Sequence, residues 1–209
     1  MALGDPYADL SDIKSYLKLD PLDTTRDAAL TSALLSASSD IEKHCQRQFN
    51  MDTGASSRVF APDTLFECRT DDFATTSGLG IAIDPGGTGT FSQTLTASQY
   101  ELYPLNGISD GVPGWPYNRI RAIGGTWFQQ YGVWRRKGVV QVTATWGWPA
   151  VPAPIKQATL IIAAQKYRLA DAPWGVAGMT EFGTAVRIRE IPLVKETLCP
   201  YVRYPVLGG

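Results

Sequence analysis

Residues 142–170 read VTATWGWPAVPAPIKQATLIIAAQKYRLA, and no other stretch constrains the fold as strongly. The first residues alternate between apolar and polar side chains, as in a half-buried strand, whereas Ile155, Ala158, Ile162 and Ala163 fall on one stripe of a helix. The prolines between the two patterns restrict the backbone, so the sequence predicts a strand that turns into a helix of fixed direction at about residues 155–170. This strand-to-helix corner consists of Trp146, Gly147, Trp148, Pro152 and Pro154.

Two further helices are predicted near the N-terminus. Residues 9–19 carry one apolar stripe, and Asp20-Pro21 is expected to end this short helix. A helix of about 24 residues follows, with Thr24 or Thr25 as its N-cap. Its apolar side chains recur every three or four residues and are Leu30, Leu34, Ala37, Ile41, Cys45 and Phe49.

Between these helical regions the chain is rich in Gly, Thr, Ser, Pro and aromatic residues. Short strand-like runs are separated by turn signals, notably DPGGTGT at 84–90 and LNGISDGVPGWP at 105–116. The predicted strands are Arg58–Phe60, Leu65–Arg69, Gly80–Ile83, Gln99–Leu102, Arg119–Ile123 and Val139–Thr145. We interpret this region as a mostly antiparallel β-subdomain.

The predicted fold is therefore α+β. It is a helical bundle of two long and two short helices, with an inserted β-subdomain and an extended C-terminal arm. The expected boundaries are 1–50 for the N-terminal helical part, 51–150 for the β-rich insertion, and 151–209 for the C-terminal helix and docking arm. The first and last of these would form one discontinuous domain, whose last short helix is expected near Ile191–Leu198.

Charge and composition exclude several classes of protein. The chain has 19 basic and 20 acidic residues, whereas a surface built to hold nucleic acid needs clustered positive charge. No apolar run is long enough to span a bilayer, and the N-terminus lacks the features of a signal peptide. Three widely spaced cysteines fit neither a disulfide framework nor a zinc site, and they favour a reducing compartment.

Motifs for catalysis are lacking in the sequence. The one histidine, His44, adjoins Cys45, but neighbours on a helix point about 100° apart and do not converge on one reacting atom. The glycine-rich DPGGTGT lacks the lysine of a phosphate loop and is interpreted as a turn. We therefore expect no catalytic, cofactor-binding or metal-binding residue. An enzyme would require an unforeseen cluster of Asp63, Glu67, Asp71 and Asp72.

The aromatic and basic residues of the second half allow two interpretations each. The tryptophans fit either the core and interfaces of a thin β-subdomain or an exposed platform for sugars. The cluster Arg135, Arg136 and Lys137 fits a solvated hairpin turn, or a loop that faces a DNA channel or an acidic partner. The six tryptophans are Trp115, Trp127, Trp134, Trp146, Trp148 and Trp174.

The ordered set of motifs resembles the head-tail connector (head-completion, or adaptor) proteins of long-tailed double-stranded DNA phages. The first motif is a short opening helix with Leu-x-x-Tyr-Leu-like spacing, here DLSDIKSYLKLD. The second, at the end of the first long helix, is Ile41, Glu42, Cys45, Arg47 and Phe49. The third is Trp146, Gly147, Trp148, Val151, Pro152, Ile155, Lys156, Ala158 and Ala163. The resemblance covers both helical ends, and the β-insertion matches nothing specific.

This resemblance implies a structural virion protein and not an enzyme. Members of the family form a ring of about twelve copies below the portal protein, at the neck, after assembly in the host cytoplasm. The ring extends the channel through which double-stranded DNA passes and offers a platform for a stopper or tail-completion protein. No cofactor and no membrane partner are implied.

Two groups of interface residues follow as hypotheses from their position. One group is expected to contact the portal or a neighbouring copy, and it comprises Arg187, Arg189, Tyr201, Arg203 and Tyr204. The loop Arg135–Lys137 is expected to face the channel or the next ring. The alternative function is a carbohydrate- or receptor-binding β module of a virion, which would use the tryptophans.

Overall fold

A computed structural model describes residues 4–109, 111–126, 128, 138–171 and 192–203, without the side chains of 170 and 171. Helices and antiparallel sheets are both present, so the predicted α+β class is confirmed. The helices are α1 (Leu10–Leu17), α2 (Asp27–Cys45), α3 (Ala153–Asp171) and α4 (Pro192–Leu198). The strands are β1 (Ser56–Phe60), β2 (Glu67–Phe73), β3 (Gly80–Ile83), β4 (Gln93–Thr94), β5 (Tyr100–Tyr103), β6 (Ile108–Ser109), β7 (Val112–Pro113), β8 (Tyr117–Ala122) and β9 (Val140–Ala144).

The chain divides into two compact units. Of the described residues, the helical unit combines those up to 49 with those from 151 onward, and the β unit comprises those between 50 and 150. Each unit has a hydrophobic core of its own type: helix faces in the first and sheet faces in the second.

In the helical unit, α2 packs against α3, and α1 packs against both. The apolar stripe predicted for α2 is buried, because Leu30, Leu34, Ala37 and Ile41 are at most 1% exposed. The helix has 19 residues, fewer than the sequence predicts, because Gln46 adopts the left-handed conformation with φ 53°. Phe49 is buried beyond the helix end.

The two N-terminal helices begin and end at residues other than those predicted. Arg26, not Thr24 or Thr25, occupies the N-cap position of α2. Helix α1 ends at Leu17, before Asp20-Pro21, because Lys18 is left-handed with φ 57°. The buried Lys14 ammonium then holds the connection: its Nζ lies 2.6 Å from Asp27 Oδ1 and donates to backbone carbonyls of the loop between α1 and α2.

In its described residues, the β unit contains two main sheets and one small hairpin. The first sheet has the order β1-β9-β3-β4, the second has the order β2-β8-β5, and β6 pairs with β7. All pairings are antiparallel. Six of these strands overlap the predicted runs, whereas the two-residue strands β4, β6 and β7 were not predicted.

Strand β2 takes part in pairings on both sides of the core. Its first residues pair with β8, and a register irregularity follows between Arg69 and Phe73. Phe73 then also bridges to Trp146, which follows β9 of the first sheet. Inward side chains of both sheets form one buried cluster, which includes Cys68, Ile81, Ile120 and Val142.

Candidate functional site

The strand-to-helix corner begins at a point where only glycine fits. Gly147 has φ +103°, and a Cβ atom placed on it would lie 1.8 Å from the Asn50 carbonyl oxygen. Its N–H donates to the Asp72 carbonyl at 2.6 Å, and Gly147 also forms a β-bridge with Met51. The backbone of 146–148 is therefore clamped between two neighbouring segments.

Trp146 fixes this segment in the core of the β unit. Its ring is 1% exposed and lies 5.6 Å from the Phe60 ring and 6.0 Å from the Phe73 ring, between centroids. The indole Nε1 donates to the Ser56 carbonyl at 2.9 Å. The Arg58 guanidinium lies 4.6 Å from the centre of the indole, so the buried ring meets a cation on one face.

Trp148 anchors the next turn of the corner. Its Nε1 donates to Asp72 Oδ2 at 3.0 Å, and its ring lies 5.0 Å from the ring of Trp115. Trp148 is 3% exposed and Trp115 is half-buried. Neither Trp146 nor Trp148 therefore offers the exposed flat ring that stacking on a sugar requires.

The prolines stand immediately before and inside the first turn of α3. The helix begins at Ala153, so Pro154 is its second residue, and the Lys156 N–H donates to the Pro152 carbonyl at 3.0 Å. Proline costs little at this point because the first N–H groups of a helix have no intrahelical acceptor.

Two ion pairs tie α3 to the other helices of its unit. Lys156 Nζ lies 2.7 Å from Asp12 Oδ2 on α1, which lowers the pKa of Asp12 and raises the pKa of Lys156. Ten residues further along α3, Lys166 Nζ lies 2.6 Å from Asp40 Oδ2 on α2. The direction of α3 is thus fixed at two points along its length.

Tyr201 and Arg203 of the predicted portal interface lie against their own helical unit. The Tyr201 ring lies 5.8 Å from the Phe49 ring in an edge-to-face arrangement. The Arg203 N–H donates to the Cys45 carbonyl at 2.9 Å, at the C-terminus of α2. The remaining members, Arg187, Arg189 and Tyr204, lie outside the described residues.

The predicted channel loop also lies outside the described residues, since 129–137 include Arg135, Arg136 and Lys137. So do Trp127, Trp134 and Trp174.

The glycine-rich turn at 84–90 lies within the described residues, and its backbone N–H groups donate to a carboxylate of the same turn. Asp84 is 1% exposed and accepts N–H groups of Gly86 at 3.1 Å and Gly89 at 2.5 Å.

The acidic residues that an enzyme would need serve structural contacts. Asp71 pairs with Arg58 at 2.6 Å, Asp63 accepts the Arg69 N–H at 2.9 Å, and Asp72 accepts Trp148. Burial raises the pKa of the Cys45 and Cys68 thiols to about 12 each, so both stay protonated at neutral pH. Within the described ranges, no group of three or more His, Cys, Asp or Glu residues could hold a metal ion.

Exposed apolar side chains that the sequence did not single out lie at the ends of the second sheet. Leu65 and Phe66 are 47% and 52% exposed just before β2. Leu105, Ile108 and Val112 are 52%, 46% and 56% exposed in and beside the β6–β7 hairpin. For the second group, the sequence did carry a signal: Leu105, Ile108 and Val112 are apolar residues within the glycine- and proline-rich turn segment 105–116.

Comparison with known proteins finds solved structures with a similar fold. No protein-family model and no curated protein sequence matches the chain. A chain in a solved structure of the neck of an empty gene transfer agent (GTA) particle, computed with C6 symmetry, is similar with a TM-score of 0.56 and 23% identity; the match covers 97% of this chain and 93% of that one. A chain of the virion of a native GTA particle matches over the same shares with a TM-score of 0.51 and 21% identity. None of the helices in the described part is long and apolar enough to cross a bilayer.

Proposed function

We propose that this chain is a structural virion protein, a head-to-tail connector or adaptor of a phage-like particle. Copies form a ring below the portal, extend the DNA channel, and provide the attachment platform for a stopper or tail-completion protein. The chain acts in the neck of the virion, after assembly in the host cytoplasm, and it is not an enzyme.

The observation that carries this proposal is the fold likeness to a GTA neck chain across 97% of the sequence. The likeness includes the β-insertion, for which the motifs alone had no counterpart. The neck structure was computed with C6 symmetry, and a ring of about twelve copies is compatible with a sixfold axis as two copies per repeat.

The geometry of the corner supports an assembly role. A ring closes only if each subunit repeats the same rotation, because errors in a head-to-tail interface accumulate around the circle. In this chain, Gly147 is clamped by backbone on two sides, and the two ion pairs of Lys156 and Lys166 hold α3. Within the helical unit, α3 is therefore held in one direction against α1 and α2.

Quantitative mass spectrometry of purified particles that encode this chain tests the proposal. Scaled to the major capsid protein, we expect about a dozen copies per particle. Absence from particles would overturn the connector function. Copies in the hundreds would indicate a capsid or tail-tube component and would revive the alternative of a carbohydrate- or receptor-binding module.

The portal-interface residues need a truncation that spares the helical unit. Deleting residues from 200 onward would also remove Tyr201 from Phe49 and Arg203 from the end of α2. We propose instead to end the chain after Arg203, which removes Tyr204 but keeps both contacts. Binding to the portal is expected to weaken while the melting temperature stays within a few degrees, and Tyr204→Ala in the full chain should weaken it as well. Unchanged binding of both variants would remove Tyr204 from the interface.

A further inference from the structure

Residues 105–108 form a tight turn that leads from β5 into the β6–β7 hairpin. Asn106 has φ 58° and ψ 16°, and Gly107 has φ +65°. Across the turn, the Ile108 N–H donates to the Leu105 carbonyl. Two consecutive positive φ angles are the pattern of a type I′ turn, in which asparagine followed by glycine is a preferred pair. The local backbone therefore accounts for the presence of Asn106-Gly107.

Glycine is strongly favoured at the second central position of this turn. Gly107 is buried, and a Cβ atom added to it would lie 3.1 Å from the Trp115 carbonyl oxygen. Its N–H donates to the Pro104 carbonyl at 3.1 Å, and its carbonyl accepts the Trp115 N–H at 3.0 Å. Asn106, in contrast, is exposed to solvent. The turn thus places an exposed asparagine directly before a glycine that the fold retains.

An asparagine followed by glycine can undergo a reaction of its own. The backbone nitrogen of the glycine attacks the asparagine Cγ, because the missing side chain of glycine leaves the approach open. The N–Cγ bond forms, the Cγ–Nδ2 bond breaks, and Nδ2 leaves as ammonia with the former amide proton. Water then adds to either carbonyl of the cyclic imide and opens the ring to aspartate or isoaspartate. Asn106-Gly107 is the one Asn-Gly pair in the sequence.

The folded turn holds the two reacting atoms apart. Ring closure needs the Gly107 nitrogen to lie on the same side of the Asn106 Cα–C bond as Cβ. With ψ at 16°, this nitrogen is nearly eclipsed with the Asn106 nitrogen instead. Its N–H is also used by the Pro104 carbonyl, so the attack would break that hydrogen bond. Rotation about ψ would break the bond between Ile108 and Leu105 as well, and the turn must therefore open before Asn106 can react.

We propose that Asn106 is a deamidation site that the folded turn 105–108 keeps unreactive and that reacts when the turn opens. Opening of an exposed loop needs less free energy than unfolding of the whole chain, so the site can react without global unfolding. Isoaspartate adds one carbon to the main chain, and the same turn cannot form again around it. A copy that has reacted is therefore permanently changed. The site does not depend on the proposed connector function.

Hydroxylamine tests the site, because it attacks the cyclic imide and cuts the chain between Asn106 and Gly107. The urea-unfolded chain is expected to yield the fragments 1–106 and 107–209 on a denaturing gel. The native chain should be cut at least about tenfold more slowly. Asn106→Gln does not readily form the five-membered ring and should stay intact in both conditions. Circular dichroism in the same buffer verifies that the native sample remains folded.

Two outcomes of the hydroxylamine experiment would overturn the proposal. Equal cutting of the native and the unfolded chain would show that the turn gives no protection. An unfolded chain that stays intact would show that Asn106-Gly107 is not a reactive site.

Mass spectrometry follows the reaction without hydroxylamine. The tryptic peptide 70–119 contains both Asn106 and Asn118, and Asn118 is followed by arginine. After incubation at mildly alkaline pH, fragmentation of this peptide from the unfolded sample should locate the conversion at Asn106 and leave Asn118 unchanged. Equal conversion of the two asparagines would contradict the role of the following glycine.

Hydrogen exchange of the refolded chain tests whether the change is permanent. Chain that was converted while unfolded is refolded and compared with Asn106→Asp, which carries the new carboxylate but no additional main-chain carbon. The Trp115 N–H, which donates to the Gly107 carbonyl, is expected to exchange at least about tenfold faster in the isoaspartate form. Equal exchange rates would mean that the turn forms again around isoaspartate, and would overturn the permanent change.

Discussion

At the scale of single residues, Gly147 shows how a local requirement sets the course of the chain. The residue combines a positive φ with a backbone oxygen at the place where a side chain would begin. The first condition favours glycine, and the second leaves no room for any other residue. The Trp-Gly-Trp motif is therefore explained by two anchored rings around a point of close backbone approach.

Replacing Gly147 by alanine is expected to destabilise the protein by at least about 3 kcal/mol, because the new methyl group collides with the Asn50 carbonyl. The matched control is Gly111→Ala, where φ is +79° but nothing lies within 4 Å of the added Cβ. Strain alone should then cost about 1 kcal/mol. Urea unfolding of both variants measures the difference, and equal costs would contradict the clash.

Asp84 makes stability depend on pH. Burial alone would raise the pKa of Asp84, but the N–H donors of Gly89, Thr88 and Gly86 outweigh it and lower the pKa below its usual value. A depressed carboxyl pKa contributes stability above the unfolded value of about 3.9, and this contribution is lost as the pH falls through the folded pKa. Asp84→Asn is therefore expected to melt at a lower temperature than wild type at pH 6. The difference in melting temperature should narrow below about pH 4.

Thermal melts at several pH values between about 3 and 7 would measure this gap. Asp20→Asn, which removes an exposed carboxylate that accepts the Leu22 N–H, controls for the loss of one charge. If the difference in melting temperature between Asp84→Asn and wild type stays constant across the series, the N–H groups of the loop do not bind an ionised carboxylate.

At the scale of secondary-structure elements, the sequence predicted the helices whose buried faces repeat at a regular spacing. The stripes of α2 and α3 were found because a helix that buries one face must repeat its apolar residues every three or four positions. The end of α2 was not found, because Gln46 takes a left-handed conformation that usually marks glycine or asparagine. The short strands β6 and β7 were missed since two residues carry no detectable alternation.

Tyr7 links the N-terminal segment to the end of α2. We expect that removing its hydroxyl group destabilises the helical unit. The buried hydroxyl donates to Glu42 Oε1 at 2.7 Å and accepts the Phe49 N–H at 3.0 Å. Burial raises the pKa of Tyr7, so the hydroxyl stays protonated and keeps donating. Tyr7→Phe leaves the Phe49 N–H without this acceptor and should cost about 1–3 kcal/mol.

Denaturant titration compares Tyr7→Phe with Tyr16→Phe. Tyr16 is 49% exposed, so removing its hydroxyl should change stability by less than about 0.5 kcal/mol. Equal effects of the two substitutions would mean that the Tyr7 hydroxyl does not bridge these segments in solution.

At the scale of the whole molecule, the candidate site was predictable only in part. The corner could be located because Trp, Gly and Pro at residues 146–154 interrupt two clear periodicities. The exposed apolar side chains at the ends of the second sheet could not, because which strand ends meet there depends on the pairing of β2 and β5 with β8. Direction and pairing of strands arise from contacts distant in sequence, and no local pattern records them.

The β unit is expected to fold without the helical unit. Its cluster of buried residues, from Cys68 to Trp146, comes entirely from residues 50–150. A fragment of residues 50–150 should therefore show a single cooperative thermal transition and dispersed amide resonances. Val142→Asp, which places a carboxylate at a fully buried position, should abolish both and serves as the control. A fragment with neither property would show that the β core needs the helices.

The bridge between Met51 and Gly147 has an evolutionary consequence. The chain enters and leaves the β unit at neighbouring points, so the two ends of the intervening segment lie side by side. Chain can be added to or removed from such a unit without moving the points at which it is joined to the rest of the gene product. A lineage is then free to enlarge, trim or exchange this piece while the flanking helices evolve under separate constraints.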